Sequence, residues 1–178
     1  MTENDRSTQR RRQFVQALGA SAVVATAGCL GSDDDSSTGD WRTATLEDTT
    51  TGEQFSIAEF ERPTLLHTFA SNCLTCASQQ AEFVTLWERR DDIEIVELTV
   101  DPNDTPEDIA AHAEEAGLAW HVGVAPEPVV GALTEEFGQE VQVSAQSPII
   151  VVCPGGTTNT ISKVADPAAL EAAIDETC

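Results

Sequence analysis

Two kinds of hydrophobic spacing divide the chain beyond residue 40 into strands and helices. Short runs in which apolar residues alternate with polar ones, or follow one another without a break, predict strands. Longer runs in which apolar residues recur every three or four positions predict helices. Strands are predicted at residues 41–46, 54–57, 63–69, 93–100, 118–124, 149–153 and 160–164, and helices at residues 74–89, 105–116, 128–137 and 167–176.

The helix boundaries carry end signals of their own. Thr105 is followed by Pro106 at the first helical position and by Asp108 three residues on, and Gly117 follows the last helical residue. These residue types begin and end helices. Because strands alternate with helices, residues 41–178 are predicted to form one α/β domain, with a mixed, mainly parallel central sheet and helices on both faces.

The first 28 residues are typical of an export signal. Arg11-Arg12 precedes an apolar run of small residues that ends at Cys29 and is shorter than the roughly 20 residues of a membrane-spanning helix. The twin arginine resembles a Tat signal. Residues 26–29 resemble a lipobox, which implies lipidation of Cys29, although an ordinary cleavage site beside a chance cysteine is the alternative. We therefore expect an exported protein, anchored to the outer face of the cytoplasmic membrane through residues 29–40 as a flexible acidic tether.

Charge narrows the function further. The sequence has 31 acidic and 9 basic residues, a net charge of −22, and Lys163 is its only lysine. This balance excludes nucleic-acid binding as the main function, because such proteins need basic surfaces to neutralise phosphates. The acidity either keeps the protein soluble or adapts it to concentrated salt, in which the repulsion between its own acidic side chains is screened. Scarce lysine and an aromatic content of 5% resemble haloarchaeal proteins, and we expect that origin.

Two cysteines, Cys73 and Cys76, form a C-L-T-C pair between a predicted strand and a predicted helix. A thiol at a helix N-terminus faces unpaired N–H groups and the positive end of the helix dipole, which lower its pKa. A zinc site would normally need a second pair of ligands, and the sequence has no second C-x-x-C. The pair predicts thiol–disulfide exchange, with Cys73 as nucleophile and Cys76 as the resolving thiol. An unrelated pair of cysteines at a helix start is the alternative.

Residues 65–76 resemble the strand, C-x-x-C and helix signature of the thioredoxin superfamily, and Ser147-Pro148 resembles its cis-proline. The similarity runs from about residue 44 onward and is greatest to TlpA/ResA-type redoxins and SCO/SenC proteins, which are membrane-anchored. It implies a thioredoxin-like three-layer fold, a redox-active disulfide and a peptide groove that Pro148 shapes. It also implies that His67 takes the position of a buried acid that helps deprotonate the resolving cysteine. A core histidine with a satisfied hydrogen bond is the alternative.

Residues 100–106 are similar to the D-P-x-x-D-T-P segment of SCO/SenC proteins. That resemblance implies an alternative function, a chaperone for cytochrome oxidase assembly that binds Cu(I) through Cys73 and Cys76. Ala145 stands at the position of the copper-binding histidine of that family, and two residues rather than three separate the cysteines. A structural lipoprotein with a merely stable disulfide is a third hypothesis.

The last two cysteines are candidates for a structural bridge. Cys153 ends a predicted strand and Cys178 ends the last predicted helix. An exported protein favours a disulfide between them, and two separate thiols are the alternative. For the oxidoreductase we expect no bound cofactor. By analogy with the related families, we expect a thiol- or disulfide-bearing partner protein of respiration or cytochrome assembly.

Overall fold

The computed structural model describes residues 40–178. Within them the strands are β1 (Leu46–Glu47), β2 (Gln54–Phe55), β3 (Thr64–Phe69), β4 (Glu94–Thr99), β5 (His121–Val124), β6 (Ile149–Val152) and β7 (Thr158–Ile161). The helices are α1 (Leu74–Trp87), α2 (Pro106–Ala116), α3 (Glu127–Phe137) and α4 (Pro167–Thr177). Single turns of 3-10 helix lie at Ile57–Glu59 and Gln139–Gln142. The predicted signal peptide, Cys29 and the tether up to residue 39 lie outside the described residues.

One central sheet organises the domain, with the strand order β5-β4-β3-β6-β7. Strands β3, β4 and β5 run parallel, whereas β6 is antiparallel to β3 and β7 is antiparallel to β6. Helices α1, α2 and α4 share a hydrophobic core with one face of the sheet, and α3 packs against the other face. The predicted three-layer α/β architecture with a mixed sheet is confirmed.

Strand β3 lies at the centre of the sheet, and all six of its residues are buried. Its side chains alternate between the two cores, so that Leu65 and Phe69 join the layer of α1 while Leu66 joins the layer of α3. Because both faces are covered, β3 has no exposed polar side, and its polar residues Thr64, His67 and Thr68 are buried together with the apolar ones. The strand ends at Phe69, which brings the following loop and Cys73 to one edge of the sheet.

The segment before β1 differs from its prediction. Residues 41–46 were expected to form a strand, but residues 41–44 form turns and only Leu46 joins β1. Trp41 is nevertheless 1% exposed, because it packs edge-on against Phe137 of α3 and its indole N–H donates to Glu136 at 2.8 Å. Its burial comes from a helix rather than from strand pairing, and hydrophobicity alone does not distinguish the two.

The hairpin between β6 and β7 also differs from its prediction. The second strand was expected at residues 160–164 but lies at Thr158–Ile161. A turn that contains Gly156, with a φ of +85°, pairs Val152 with Thr158 and sets the register of the hairpin. Residues 163–166 therefore leave the sheet and connect it to α4. This shift decides where the only lysine of the chain lies.

A disulfide joins Cys153, directly after β6, to Cys178, directly after α4, with 5.4 Å between the Cα atoms. Val152 pairs with Thr64, the first residue of β3, so this bridge lies at the opposite edge of the sheet from Cys73. The bridge fastens the last helix to the sheet. In residues 40–178, no helix is both long enough and apolar enough to cross a membrane.

Candidate functional site

Cys73 and Cys76 form a disulfide at the N-terminus of α1, with 5.2 Å between their Cα atoms. Cys73 is the N-cap residue, and its sulfur accepts a hydrogen bond from the backbone N–H of Cys76 at 3.2 Å. The same N–H would stabilise a Cys73 thiolate, as would the positive end of the helix dipole. Cys73 is half-buried, whereas Cys76 is 1% exposed. The outer sulfur can therefore meet a partner, while the inner one can act only on its neighbour.

The loop before Cys73 is held by Asp104, which lies between β4 and α2. The backbone N–H and the hydroxyl of Ser71 donate to the Asp104 carboxylate at 3.1 and 2.6 Å, and the Thr99 hydroxyl donates to it as well. Burial acts to raise the pKa of Asp104, but these hydrogen bonds outweigh it and leave the pKa below its ordinary value. The sequence marked Asp104 only as part of a family motif, and its contacts show that it fixes the approach to Cys73.

Lys163 reaches the buried sulfur from the connection between β7 and α4. Its Nζ lies 3.5 Å from the Cys76 sulfur and donates to the carbonyl oxygens of Ser144 at 2.6 Å and Thr68 at 3.5 Å. Burial lowers the pKa of Lys163 to about 8, against the opposing charge of Glu97. No sequence motif marks Lys163 as part of the site. The available signal was its uniqueness, since a lone lysine in so acidic a chain is unusual.

The backbone that carries Lys163 is anchored to α1 by Gln79, one turn after Cys76. The Gln79 side chain donates to the carbonyl oxygen of Ala165 at 3.1 Å and accepts from the N–H of Ala165 at 2.8 Å. Gln79 is fully buried, so both of its bonds are shielded from water. The helix that bears the cysteines therefore also fixes the segment that bears the lysine.

His67 lies on the central strand β3 and is fully buried. Its Nδ1 is 2.6 Å from the Glu97 carboxylate, which also accepts from the indole N–H of Trp120 at 3.0 Å. Burial lowers the pKa of His67, although Glu97 opposes this effect. In the described part of the chain, the polar groups that contact the Cys76 sulfur are the carbonyl oxygen of Ser144 and Nζ of Lys163. His67 is not one of them.

The chain resembles known proteins in its structure rather than in its sequence. No protein-family model matches the sequence, and no curated protein matches it. Solved structures do: a thiol:disulfide interchange protein of the thioredoxin family from Chlorobium tepidum has a TM-score of 0.63 at 15% identity, over 75% of this chain and 92% of that one. The described domain has the thioredoxin-like fold.

Two further structures with this fold are similar to the chain. One is BsSco, a member of the Sco family of cytochrome c oxidase assembly proteins, with a TM-score of 0.59 at 19% identity over 74% of this chain and 89% of that one. The other is a SCO1/SenC family lipoprotein from Bacillus anthracis, with a TM-score of 0.60 at 14% identity over 79% and 95%. At these identities the similarity is evidence for the fold alone. The chemistry of the site is inferred from the geometry of its cysteines.

Pro148 precedes β6 in the thioredoxin-like domain and is half-buried. The expected cis bond before it is absent: in residues 40–178 the cis peptide bond is Lys163–Val164, and Ser147–Pro148 is trans. Ser147 is held in this geometry by its N–H, which donates to the carbonyl oxygen of Val143 at 2.9 Å, and by a hydrogen bond between its hydroxyl and that of Thr68. The trans form is also the intrinsically preferred one, by about 0.5–1 kcal/mol.

Three large apolar side chains are exposed beside residues of the disulfide site. The large hydrophobic side chains that are exposed in residues 40–178 are Leu74, Val143 and Val164, at 86%, 44% and 47%. Leu74 lies between the two cysteines, and the other two are chain neighbours of Ser144 and Lys163, which contact the Cys76 sulfur. Exposed apolar side chains beside a cysteine pair would suit contact with another polypeptide.

Two cavities lie on the surface near Ser144, which contacts the Cys76 sulfur. A cavity of about 190 Å³ is lined by Ala70, Ser144 and Asp101, and a second one of about 430 Å³ extends to Val130 of α3. Four residues line both cavities: Val100, Asp101, Pro102 and Gln142. The two cavities therefore share a wall. In the described part of the chain, no group of three or more histidine, cysteine or acidic side chains is arranged to hold a metal ion.

Proposed function

We propose that this protein is an extracytoplasmic thiol–disulfide oxidoreductase that uses the Cys73-Leu74-Thr75-Cys76 pair and is anchored to the membrane. The observation that carries the proposal is the disulfide at the N-terminus of α1, with one sulfur accessible and the other buried. A disulfide that serves only stability needs no such asymmetry. It also needs no amide N–H directed at its outer sulfur, whereas a nucleophilic thiolate benefits from one.

The reaction divides between the two sulfurs. In the reduced protein, the Cys73 thiolate attacks a partner disulfide, forms a mixed disulfide and releases one partner thiolate. The Cys76 thiolate then attacks the Cys73 sulfur, which forms the internal disulfide and releases the second partner thiolate. The protein gives up two electrons, the partner gains them, and the two released thiolates take up protons from water. The reverse sequence oxidises a dithiol partner.

Two neighbouring residues take supporting roles in this proposal. Pro148, the residue before β6, would shape a groove that receives an extended partner segment. His67 and Glu97 form a buried pair, 2.6 Å apart, on the two central strands. Buried ionisable groups are frequent at functional sites, and His67 would assist proton transfer at Cys76 through its charge rather than through direct contact.

The proposed location is the outer face of the cytoplasmic membrane, with a Tat-type signal at residues 1–28 and a lipid on Cys29. The proposed source is a haloarchaeon, in keeping with the net charge of −22. A relative in fold is a lipoprotein, and another belongs to a family of cytochrome c oxidase assembly proteins. We therefore propose a thiol- or disulfide-bearing protein of respiration or cytochrome assembly as the partner.

A redox titration of the purified protein in concentrated salt tests the proposal. Samples equilibrated at defined potentials are alkylated and analysed by peptide mass spectrometry. We expect Cys73 and Cys76 to titrate together as a two-electron couple between about −100 and −300 mV, the range of exchange-active pairs. The Cys153–Cys178 pair is the internal control and should stay oxidised to more negative potentials, as structural disulfides do. If the first pair does not titrate in that window, the proposal is wrong.

A further inference from the structure

The one lysine of the chain is directed at a sulfur atom rather than at a carboxylate. Lys163 Nζ lies 3.5 Å from the Cys76 sulfur. No carboxylate oxygen of residues 40–178 lies within 4.0 Å of Nζ, the limit for an ion pair. In a chain with 31 acidic residues, an unconstrained lysine on the surface would meet a carboxylate easily. The position of this side chain is therefore imposed by its surroundings.

Those surroundings hold the ammonium group through two carbonyl oxygens and fix the backbone next to it. The carbonyl oxygens of Ser144 and Thr68 accept its hydrogen bonds, at 2.6 and 3.5 Å. Behind it, Gln79 clamps the backbone of Ala165 with two hydrogen bonds. Carbonyl oxygens satisfy an ammonium group without neutralising its charge. The positive charge of Lys163 is consequently preserved next to Cys76.

From this geometry we propose that Lys163 is the positioning residue of Cys76, whose ammonium group stabilises the Cys76 thiolate during exchange. The inference rests on the proposed function and adds a residue that family resemblance did not supply. When a mixed disulfide is resolved, the Cys76 thiolate attacks the Cys73 sulfur, the internal S–S bond forms and the partner leaves as a thiolate. When an external thiolate opens the internal disulfide at Cys73, Cys76 is the leaving thiolate. Lys163 stays protonated in both directions and faces the same negative sulfur.

The other charged groups near the site are less suited to this task. Glu97 on β4 and His67 on β3 act on Lys163 or on each other through their charges. Helix α1 packs against the site with neutral side chains, Gln79 and Gln80. His67 directs its Nδ1 at Glu97. Of the charged groups in the described residues, Lys163 is the one within hydrogen-bond distance of the Cys76 sulfur.

The size of the effect follows from the distance. An opposite charge at about 4 Å lowers the pKa of a group by roughly 1–3 units. If loss of the ammonium group raises the Cys76 pKa by about 1–2 units, the thiolate fraction at pH 7 falls about 10- to 100-fold. A more basic thiolate is also a better nucleophile, with a Brønsted coefficient of about 0.4–0.5, which returns part of the loss. The net expectation is a resolution step roughly four- to twelvefold slower.

The two sulfurs can be observed separately with a small aromatic disulfide that releases a coloured thiolate. Mixed with the reduced protein in a stopped-flow instrument, it reports the attack of Cys73 as a first release and the attack of Cys76 as a second. We expect Lys163→Met to leave the first release within about twofold of the wild type and to slow the second by the factor above at pH 7. The difference should shrink above about pH 8, where Lys163 loses its charge, and vanish near pH 10, where the Cys76 thiolate forms in both proteins.

Three variants serve as controls. Lys163→Arg keeps the charge and should retain most of the second release. Arg62→Met changes the net charge by the same amount at an exposed position beside the start of β3, far from the cysteines along the strand, and should change neither release. Cys76→Ser should abolish the second release and assign it to Cys76.

Each outcome decides one question. Equal second releases in the wild type and Lys163→Met from pH 6 to 10 would overturn the role of Lys163 while the exchange activity stands. A wild-type protein that shows neither release would overturn the proposed function instead. If Lys163→Met does not fold, Lys163→Gln replaces it, and a second release as fast as that of Lys163→Arg at pH 7 would equally overturn the role.

Discussion

Removal of the Cys153–Cys178 disulfide should lower the free energy of unfolding by several kilocalories per mole, although the bridge lies away from the exchange site. The perturbation is Cys153→Ala combined with Cys178→Ser, because Cys153 is buried and Cys178 is exposed. Alanine avoids a buried hydroxyl at the first position, and serine keeps a polar group at the second. The folded contacts therefore change little, and the main effect falls on the unfolded chain.

The magnitude follows from the sequence separation of the two cysteines. The bridge closes a loop across a separation of 25 residues. In the chain-entropy treatment, a loop of that length restricts the unfolded state by about 3.5 kcal/mol at 25 °C. The Cys73–Cys76 pair closes a separation of only three residues, for which the same relation gives about 1.6 kcal/mol. The two disulfides should thus differ by about 2 kcal/mol in what their removal costs.

Urea unfolding at one fixed salt concentration, followed by far-ultraviolet circular dichroism, measures both losses. The comparison variant is Cys73→Ser with Cys76→Ala, in which serine preserves an N-cap side chain for α1 and alanine avoids a buried hydroxyl at the second position. The slope of free energy against urea should increase when the long loop is opened, because the unfolded chain becomes less compact. Equal losses for the two paired variants, or a larger loss for the short loop, would refute the loop-length reasoning.

Two other predictions concern the frame around the site. Asp104→Asn should cost about 1–2 kcal/mol near neutral pH, since it weakens hydrogen bonds from Ser71 to a charged acceptor. The pKa of Asp104 in the folded protein lies below the ordinary 3.8, so its contribution to the free energy of unfolding is complete above pH 3.8. That contribution is lost as the pH falls through the folded pKa. The stabilities of the wild type and the variant should therefore converge in acid unfolding titrations. Gly123→Ala should destabilise the fold by about 1–3 kcal/mol, because the new Cβ would lie 2.5 Å from the backbone oxygen of Glu47. Gly131→Ala in α3 is the matched control; it meets nothing within 4 Å, and thermal unfolding should show it to be more stable by about 0.5–1 kcal/mol.

Local chemistry made much of the fold predictable. Helix α2 begins with the Thr105 and Asp108 capping box and ends at Gly117 with a φ of +68°, as its sequence indicates. Strand β3 has no exposed face because both of its sides are covered. Such features are encoded within a few residues. Trp41 was misassigned because its partners, Glu136 and Phe137, lie about 95 residues away.

The site likewise contains residues that local sequence predicts and residues that it does not. The positions of Cys73 and Cys76 follow from a strand, a turn and a helix start that are contiguous in the sequence. Lys163 lies 87 residues from Cys76, in an irregular connection whose course depends on the hairpin register and on Gln79. Hydrophobic periodicity carries no information about such a contact. His67 could be recognised by its spacing from Cys73, but its partner Glu97 became visible only when β3 and β4 were paired in register.

The solitary lysine also governs how the protein can be handled as a reagent. Burial lowers the pKa of Lys163 to about 8, so at mildly alkaline pH a larger share of this amine is unprotonated than in an ordinary lysine. An amine-reactive ester finds no other lysine in the chain, so that, apart from a free α-amino group, it attaches its dye or resin 3.5 Å from a redox sulfur. A small fluorophore placed there would sense the sulfur chemistry directly. Routine amine coupling to a sensor surface would instead obstruct the site, and the abundant carboxylates offer the safer attachment.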